Sequence, residues 1–304
     1  MRPPHVRLRP AAKVNLHLEV LGRRPDGYHE LRTLLASVDL RDELVVAPAP
    51  EGCLTLEVSP AGSAPAGDDN LVLVAARRLW ARVGRRPGAR LTLTKRIPSG
   101  AGLGGGSADA AATLVALDRL WGLGLERHSL AGLGAELGAD VPFFLHGGLA
   151  LGVGRGDEVH PLPDVPPFPV VLVVPPVSVS TAEVYRRLQP PSTWARPDSR
   201  VSAFAAGWLP ELPWPFLRND LEPVVTAAWP EVAVALAAVA GIGGRRSAVT
   251  GSGGAVYAVL DQRSDAEQAA ARLARSGWRV EVVRTLVRRA ATLNFDSRSA
   301  KETR

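Results

Sequence analysis

Residues 97–114 read IPSGAGLGGGSADAAATL, with Gly100, Gly102, Gly104, Gly105 and Gly106 crowded ahead of an alanine-rich stretch. The first N–H groups of a helix have no partner inside it and carry the positive end of its dipole, and glycines let several of them turn toward one anion. Polyphosphate suits such a loop. Other readings compete with this one. Gly100, Gly102 and Gly105 satisfy the dinucleotide spacing G-x-G-x-x-G. They follow Lys95, Arg96 and Pro98 rather than a hydrophobic strand, however, and the acidic residue expected about twenty positions on would be Asp118 or Glu126, in or near a helix. The Walker A pattern requires a lysine after its last glycine, and none follows Gly106. A purely structural turn would place three successive glycines at a helix start that they weaken.

Two further residue types could join phosphate chemistry. Of 36 Lys and Arg residues only Lys13, Lys95 and Lys301 are lysines. In a chain that uses arginine elsewhere, a retained lysine marks either a place where a compact ammonium is needed or chance retention. Lys301 lies in the polar tail DSRSAKETR, and Lys95 stands two residues before the glycine stretch. Lys13 lies in AAKVNLHLEV, where alternation puts Lys13, Asn15 and His17 on one face and Val14, Leu16 and Leu18 on the other. A polar strand face suits either water or an active site. Asp140, in GADVPFF, precedes Pro142, which stiffens the backbone around its carboxylate. Such a carboxylate can orient an alcohol and take its proton, with an ammonium favouring the developing alkoxide; an N-cap or a solvated loop acid is the plainer reading. Asp109 equally reads as a first-turn acid complementing the helix dipole.

These residues need elements to hold them. Alternation predicts strands in VRLRP, VNLHLEV, DELVVAP, CLTLEVS and LTLT. Asp69 or Asn70 caps a predicted helix through LVLVAARRLWARV that Gly84 ends, and Ser107 opens a second that Gly122 ends. A third, SLAGLGAELG, ends at Gly138 and delivers Asp140 to a helix-to-strand connection. The proline-rich PLPDVPPFP marks a domain junction. Beyond it follow a strand (VVLVVPP), a helix (STAEVYRRL), a loop rich in proline and tryptophan and a helix (PEVAVALAAVA). A hairpin-like SAVTGSGGAVYAVL, a helix (DAEQAAARLARS) and a strand (WRVEVVRTL) complete the chain. Strands alternating with helices imply an α+β sandwich with a helix layer on one face of a mixed sheet.

Composition bounds the remainder. At 304 residues the chain exceeds one ordinary core, since single cores stop growing at roughly 250–300 residues. One cysteine, Cys53, allows neither an internal disulfide nor a cysteine-based zinc site. No apolar run approaches the ~20 residues of a membrane span and the start lacks a secretory signal, so a soluble, cytoplasmic protein is expected. The net charge of +6 is spread over scattered pairs such as Arg23/Arg24 and Arg245/Arg246, so no nucleic-acid partner is expected.

The run P-x-x-x-G-L-G-G-G-S-A-D-A-A resembles the second motif of the GHMP kinase superfamily. AAKVNLHLEVLGRRPDGYHELRT, GADVPFF, RNDLEPV and TGSGGAVYA resemble its 4-diphosphocytidyl-2-C-methyl-D-erythritol kinase family, and the likeness runs over about residues 8–286. The resemblance implies an α+β, two-domain GHMP kinase fold. A ribosomal-S5-like α/β domain would span 1–158, a ferredoxin-like α/β sandwich 159–290 and a flexible tail 291–304. It implies ATP-dependent phosphorylation of a cytidylyl sugar-alcohol at its 2-hydroxyl, in the non-mevalonate isoprenoid pathway. A homoserine- or mevalonate-type kinase and a non-catalytic nucleotide sensor are the alternatives. By the same resemblance Lys13 and Asp140 are catalytic. Asn70, Lys95, Pro98, Gly100, Gly102, Leu103, Gly104, Gly105, Gly106, Ser107 and Asp109 bind ATP, and Asn15, Tyr28, His29, Thr181 and Tyr185 bind the substrate. The cofactor expected is ATP with Mg²⁺, for which Ser107 is a candidate ligand and no dedicated carboxylate is assigned. The chain is expected as a monomer or weak homodimer acting on a small molecule away from membranes.

Overall fold

The computed structural model describes residues 5–188, 198–207, 209–274 and 277–293. Part of the proline- and tryptophan-rich loop (189–197), the end of the predicted helix DAEQAAARLARS (275–276) and the tail 294–304, with Lys301, lie outside the described residues. In chain order the first half comprises β1 (Val6–Leu8), β2 (Ala11–Arg23), β3 (His29–Arg41), β4 (Glu43–Ala49), β5 (Leu54–Ser59), α1 (Leu71–Val83), β6 (Gly88–Thr94), α2 (Gly105–Trp121), α3 (Arg127–Leu137), α4 (Val141–His146), β7 (Leu149–Gly154) and β8 (Glu158–Pro161). The second half comprises β9 (Pro169–Val174), α5 (Thr181–Arg187), α6 (Ser199–Ala205), α7 (Glu222–Ala228), α8 (Pro230–Ala240), β10 (Arg246–Val249), β11 (Val256–Val259), α9 (Arg263–Leu273), β12 (Arg279–Arg284) and α10 (Arg288–Ala291).

The strands form three four-stranded sheets, ordered β1-β4-β6-β5, β2-β3-β7-β8 and β10-β11-β9-β12. Among the strands of the described residues only β5 with β6 pairs in parallel, so the mixed sheet is the first one, and the sheet of the second half is wholly antiparallel. That last order, with crossover helices after β9 and β11, is a βαββαβ sandwich. Its central strand PVVLVV is apolar throughout because both faces are covered. Val170 and Leu172 join Val14, Leu34 and Tyr257 in a core between the two halves, whereas Val171 and Val173 face Val232, Ala235 and Ala266 on the helix side. A third core lies between the first sheet and α1 to α4, around Leu44, Leu91, Leu114 and Phe143.

Four boundaries differ from the sequence reading. α2 begins at Gly105, capped by the left-handed Gly104 (φ 72°), two residues before Ser107. Asp140 leads not into a strand but into α4, whose first turn contains Pro142, the position at which proline suits a helix. β8 extends the first half through Pro161. The chain expected to be loose from residue 291 is still packed at Ala291 and Leu293, which returns to the first-half core.

Candidate active site

The glycine loop connects β6 to α2. Gly100, Gly102 and Gly104 have φ of 67°, 74° and 72°, while Ala101 and Leu103 between them do not adopt positive φ. Such alternation of hand turns successive N–H groups to one side, a concave anion nest. The carbonyls are held elsewhere: Leu103 O accepts from Lys13 N (3.0 Å) and Ala101 O from Ala255 N (3.0 Å). No side chain caps α2, and helix geometry leaves the amides of Gly105, Gly106 and Ser107 without intrahelical partners.

The hairpin between β10 and β11 closes over this loop. A Cβ at Gly102 would lie 2.3 Å from Thr250 O, and one at Gly254 2.8 Å from Gly100 O. TGSGG is therefore more than a hairpin turn, since its backbone packs directly on the phosphate-type loop. Tyr257, fully buried, donates from its hydroxyl to Asn15 O (2.9 Å), and Thr250 Oγ1 accepts from Asn15 N (3.0 Å). Those two bonds tie the second half to β2.

Lys13 is 3% exposed, and its Nζ lies 2.6 Å from Asn15 Oδ1 and 3.5 Å from Asp140 Oδ2. The Asp140 side chain is 36% exposed, so its carboxylate faces solvent while the ammonium approaches from inside. Gly104 sits between them and the loop; a Cβ there would touch Phe144 of α4 (2.6 Å) and Lys13 Cγ (3.2 Å). At the start of α2, Ser107 Oγ is 3.9 Å from the Cβ position of Gly138, two residues before Asp140.

The sequence reading of β2 fails at one point. A bulge between Asn15 and His17 pairs Asn15 with Leu35 but His17 with Leu34. Partners across a ladder share a face, so His17 leaves the face of Lys13 and Asn15. Its Nδ1 accepts from Arg218 N (3.0 Å), which puts the ring proton of the neutral form on Nε2. His17 there borders Glu19, a fully buried carboxylate held by Arg32 (2.6 and 2.7 Å), Arg218 (2.9 Å) and Asp198 N (3.1 Å). Burial alone would raise the Glu19 carboxyl, but its contacts with His17 Nε2 (3.3 Å) and with the Arg32 guanidinium outweigh it and hold the group at about 2.

Lys95 and Asp109 are likewise brought together, but away from solvent. Lys95 Nζ binds Asp42 and, at 2.7 Å, Asp109 Oδ2, in a triad whose members are all at least nine-tenths buried. Asp42 Oδ1 also accepts from the amides of Arg96 and Ile97 (2.8 Å from the latter). The triad thus fixes the chain entering the glycine loop. Burial and the Asp42 charge push the Asp109 carboxyl upward against the pull of Lys95. Asn70 is committed too: its Oδ1 caps α1 through Val72 N (2.9 Å) and its amide donates to Pro65 O. Pro98 is half-buried where the loop begins.

On the far side His29 stacks on Tyr185 of α5, centroids 5.1 Å apart and planes 26° apart. Burial, then the Asp140 charge, raises the Tyr185 phenol. Thr181 Oγ1 lies 2.6 Å from Ser252 Oγ on the TGSGG turn. Tyr28 is 58% exposed and carries the Arg155 guanidinium 5.1 Å from its ring centre.

Residues 70–148 match the family described as GHMP kinases N terminal domain, and residues 212–279 match GHMP kinases C terminal. A 4-diphosphocytidyl-2-C-methyl-D-erythritol kinase from Pelotomaculum thermopropionicum is 44% identical over 276 residues, covering 90% of this chain and 96% of that protein. The chain belongs to the 4-diphosphocytidyl-2-C-methyl-D-erythritol kinase family. A second member of this family, from Salinispora arenicola, is 43% identical over 274 residues (88% and 87% covered). A crystal structure of 4-(cytidine 5'-diphospho)-2C-methyl-D-erythritol kinase superposes with a TM-score of 0.76 at 37% identity, covering 92% and 99% of the two chains. A homoserine kinase from Cytophaga hutchinsonii, at 22% identity and a TM-score of 0.72 over 94% and 96%, shares the fold.

Within this kinase, several residues that hold the site escaped the sequence reading. Asp42 gave a faint signal as one acid among many in LRDEL. Thr250 and Asn219 lay inside quoted motifs but had no role, because their partners are more than 100 residues away or on other elements. Arg155 carried no signal at all.

Proposed function

We propose that the chain transfers the γ-phosphoryl group of ATP to the 2-hydroxyl of 4-diphosphocytidyl-2-C-methyl-D-erythritol, a step of the non-mevalonate isoprenoid route. The observation that carries this reading is a chain of contacts between the two halves: the Lys13–Asp140 pair borders the glycine loop at Gly104, the TGSGG turn packs on the same loop, and α5, which bears Tyr185, is tied to that turn through Thr181 and Ser252 (2.6 Å). Phosphoryl transfer needs attacking oxygen, phosphorus and leaving oxygen roughly in line, and positioned charge to absorb what spreads over the phosphoryl oxygens.

The loop amides and the start of α2 hold the phosphates. Asp140, partly open to solvent, orients the acceptor hydroxyl and takes its proton as the new P–O bond forms. Lys13, whose ammonium lies 2.6 Å from Asn15 Oδ1 and 3.5 Å from Asp140 Oδ2, stabilises the alkoxide as it develops. The cytosine ring finds aromatic faces at Tyr28 and Tyr185 and a pyrimidine-edge partner at His29. Asn15 and Thr181 are its polar companions. Lys95 and Asp109 serve the nucleotide from beneath, by fixing the entry to the loop.

Mg²⁺ accompanies ATP and takes mostly water and phosphate oxygens. Ser107 Oγ, at the start of α2, is the hydroxyl this chain offers it, and among the described residues no three His, Cys, Asp or Glu side chains cluster as a separate cation cage. Its chemistry there is neutralisation of charge on the phosphate oxygens.

The test is ADP release with ATP and three acceptors in turn. The cytidylyl alcohol should support turnover, with homoserine and mevalonate at background. Equal or greater turnover with either of the latter would overturn the assignment of substrate.

A further inference from the structure

Asn219 stands in the segment 218–220, which lies beside β2 through Leu18 N to Arg218 O (2.7 Å) and Asp220 N to Leu18 O (2.9 Å). It is 6% exposed. Its amide donates both protons, to Val249 O (2.9 Å) and Gly251 O (2.8 Å), and its Oδ1 accepts from Leu221 N (3.0 Å). Neither proton is left for a substrate, so any influence on chemistry passes through the backbone it holds.

That backbone is the corner at Thr250. Val249 is the last residue of β10 in the ladder, so the carbonyls of Val249 and Gly251 are buried acceptors at the end of the sheet, costly to leave unpaired. A carboxamide is the side chain of this size that donates two hydrogen bonds and accepts another. Glu222, the first residue of α7, holds Val249 N (2.8 Å). Two side chains from 219–222 therefore grip one corner.

The opposite side of the corner meets the candidate catalytic groups. Thr250 Oγ1 accepts from Asn15 N (3.0 Å) and lies 3.4 Å from Gly102 O of the glycine loop. At Gly251 (φ 58°) a Cβ would stand 3.1 Å from Lys13 Nζ and 3.0 Å from Asn15 Oδ1. The corner leaves the ammonium less than a methyl group of slack.

We infer that Asn219 is a positioning residue for phosphoryl transfer: it fixes the Thr250–Gly251 corner, and the corner holds the Lys13 ammonium in line with Asp140. The inference rests on the kinase reading above. Asn219→Asp keeps the size and the acceptor for Leu221 N but turns a carboxylate toward two carbonyls. With saturating ATP and cytidylyl alcohol, kcat should fall by about 10–100-fold, as expected for a displacement of order 1 Å in a reacting group.

A double-mutant cycle separates this role from simple support of the fold. In a Lys13→Ala background the same Asn219→Asp change should lower the residual rate by less than about threefold, because the group it positions is gone. An unchanged kcat in Asn219→Asp, or an equal loss in both backgrounds, overturns the inference while leaving the kinase reading intact. A parent chain that does not phosphorylate the cytidylyl alcohol removes both. Should Asn219→Asp fail to fold, Asn219→Ala, which removes the two donated bonds without adding charge, is carried through the same cycle with the same criteria.

Discussion

Replacing Gly102 by alanine tests whether the two glycine motifs act as one clamp. At φ 74° the residue occupies the left-handed region, where an L side chain costs roughly 1–2 kcal/mol. The added Cβ would lie 2.3 Å from Thr250 O and 2.9 Å from Gly253 O, against 3.4 Å for ordinary contact. Both neighbours are backbone, so neither can swing aside, and the loop must part from the hairpin by about 1 Å. Overpacking of this kind adds about 1–3 kcal/mol, giving a total destabilisation of about 2–5 kcal/mol. A 1 Å misplacement in an active site costs on the order of 10²-fold in rate. Urea unfolding should therefore shift to lower midpoint, and kcat from ADP release should fall about a hundredfold. Gly132→Ala, in α3 with nothing within 4 Å of its Cβ position, is the matched control: it should leave turnover unchanged and stabilise by about 0.5–1 kcal/mol. A Gly102→Ala enzyme with kcat within about threefold of the parent would refute the clamp.

Glu19 should govern part of the acid stability. Its folded value of about 2 lies below the ordinary 4.5, so its contribution, about 3 kcal/mol, is complete above pH 4.5 and is lost as pH falls toward 2. Urea midpoints between pH 7 and 3 should show this loss, and Glu19→Gln should flatten it; an identical acid slope in the variant would count against the assignment. Lys95→Ala leaves Asp42 and Asp109 facing each other in the interior and should destabilise by about 3–5 kcal/mol in chemical denaturation, whereas a surface role would leave the midpoint where it was. Tyr28→Leu and Tyr185→Leu should raise the KM for the cytidylyl substrate by about tenfold each, as lost stacking of about 1–3 kcal/mol per base requires, with the KM for ATP little moved; steady-state kinetics decides.

Much of the fold was legible where one physical signal dominated. Asn70 caps α1 and Gly84 and Gly122 end α1 and α2 in left-handed conformation, as their types foretold. The glycine loop announced itself because alternating left-handed residues before a helix leave few alternatives to glycine. What stayed hidden had burial on both sides or partners far along the chain. β3 carries ELRTLLASVDL, and its middle residues are buried on both faces, so the alternation that marks a half-exposed strand is erased. α4 is six residues with a proline in its first turn, too short for helical periodicity to show. The bulge that turns His17 away from Lys13 depends on pairing with β3, which a single-strand reading cannot supply. The scarcity of lysine did point to compact ammonium groups at Lys13 and Lys95. Composition could not tell which lies 3.5 Å from a partly exposed carboxylate and which is buried between two carboxylates.

Single-turnover phosphoryl transfer in Asp140→Ala and Lys13→Ala, each loaded with ATP and the cytidylyl alcohol at concentrations shown by calorimetry to saturate, tests most directly whether this pair carries the reaction. Transfer should slow by about 10³-fold or more in each, with both ligands still bound and the thermal transition retained. Transfer at the parent rate in either variant would contradict the role given to that residue.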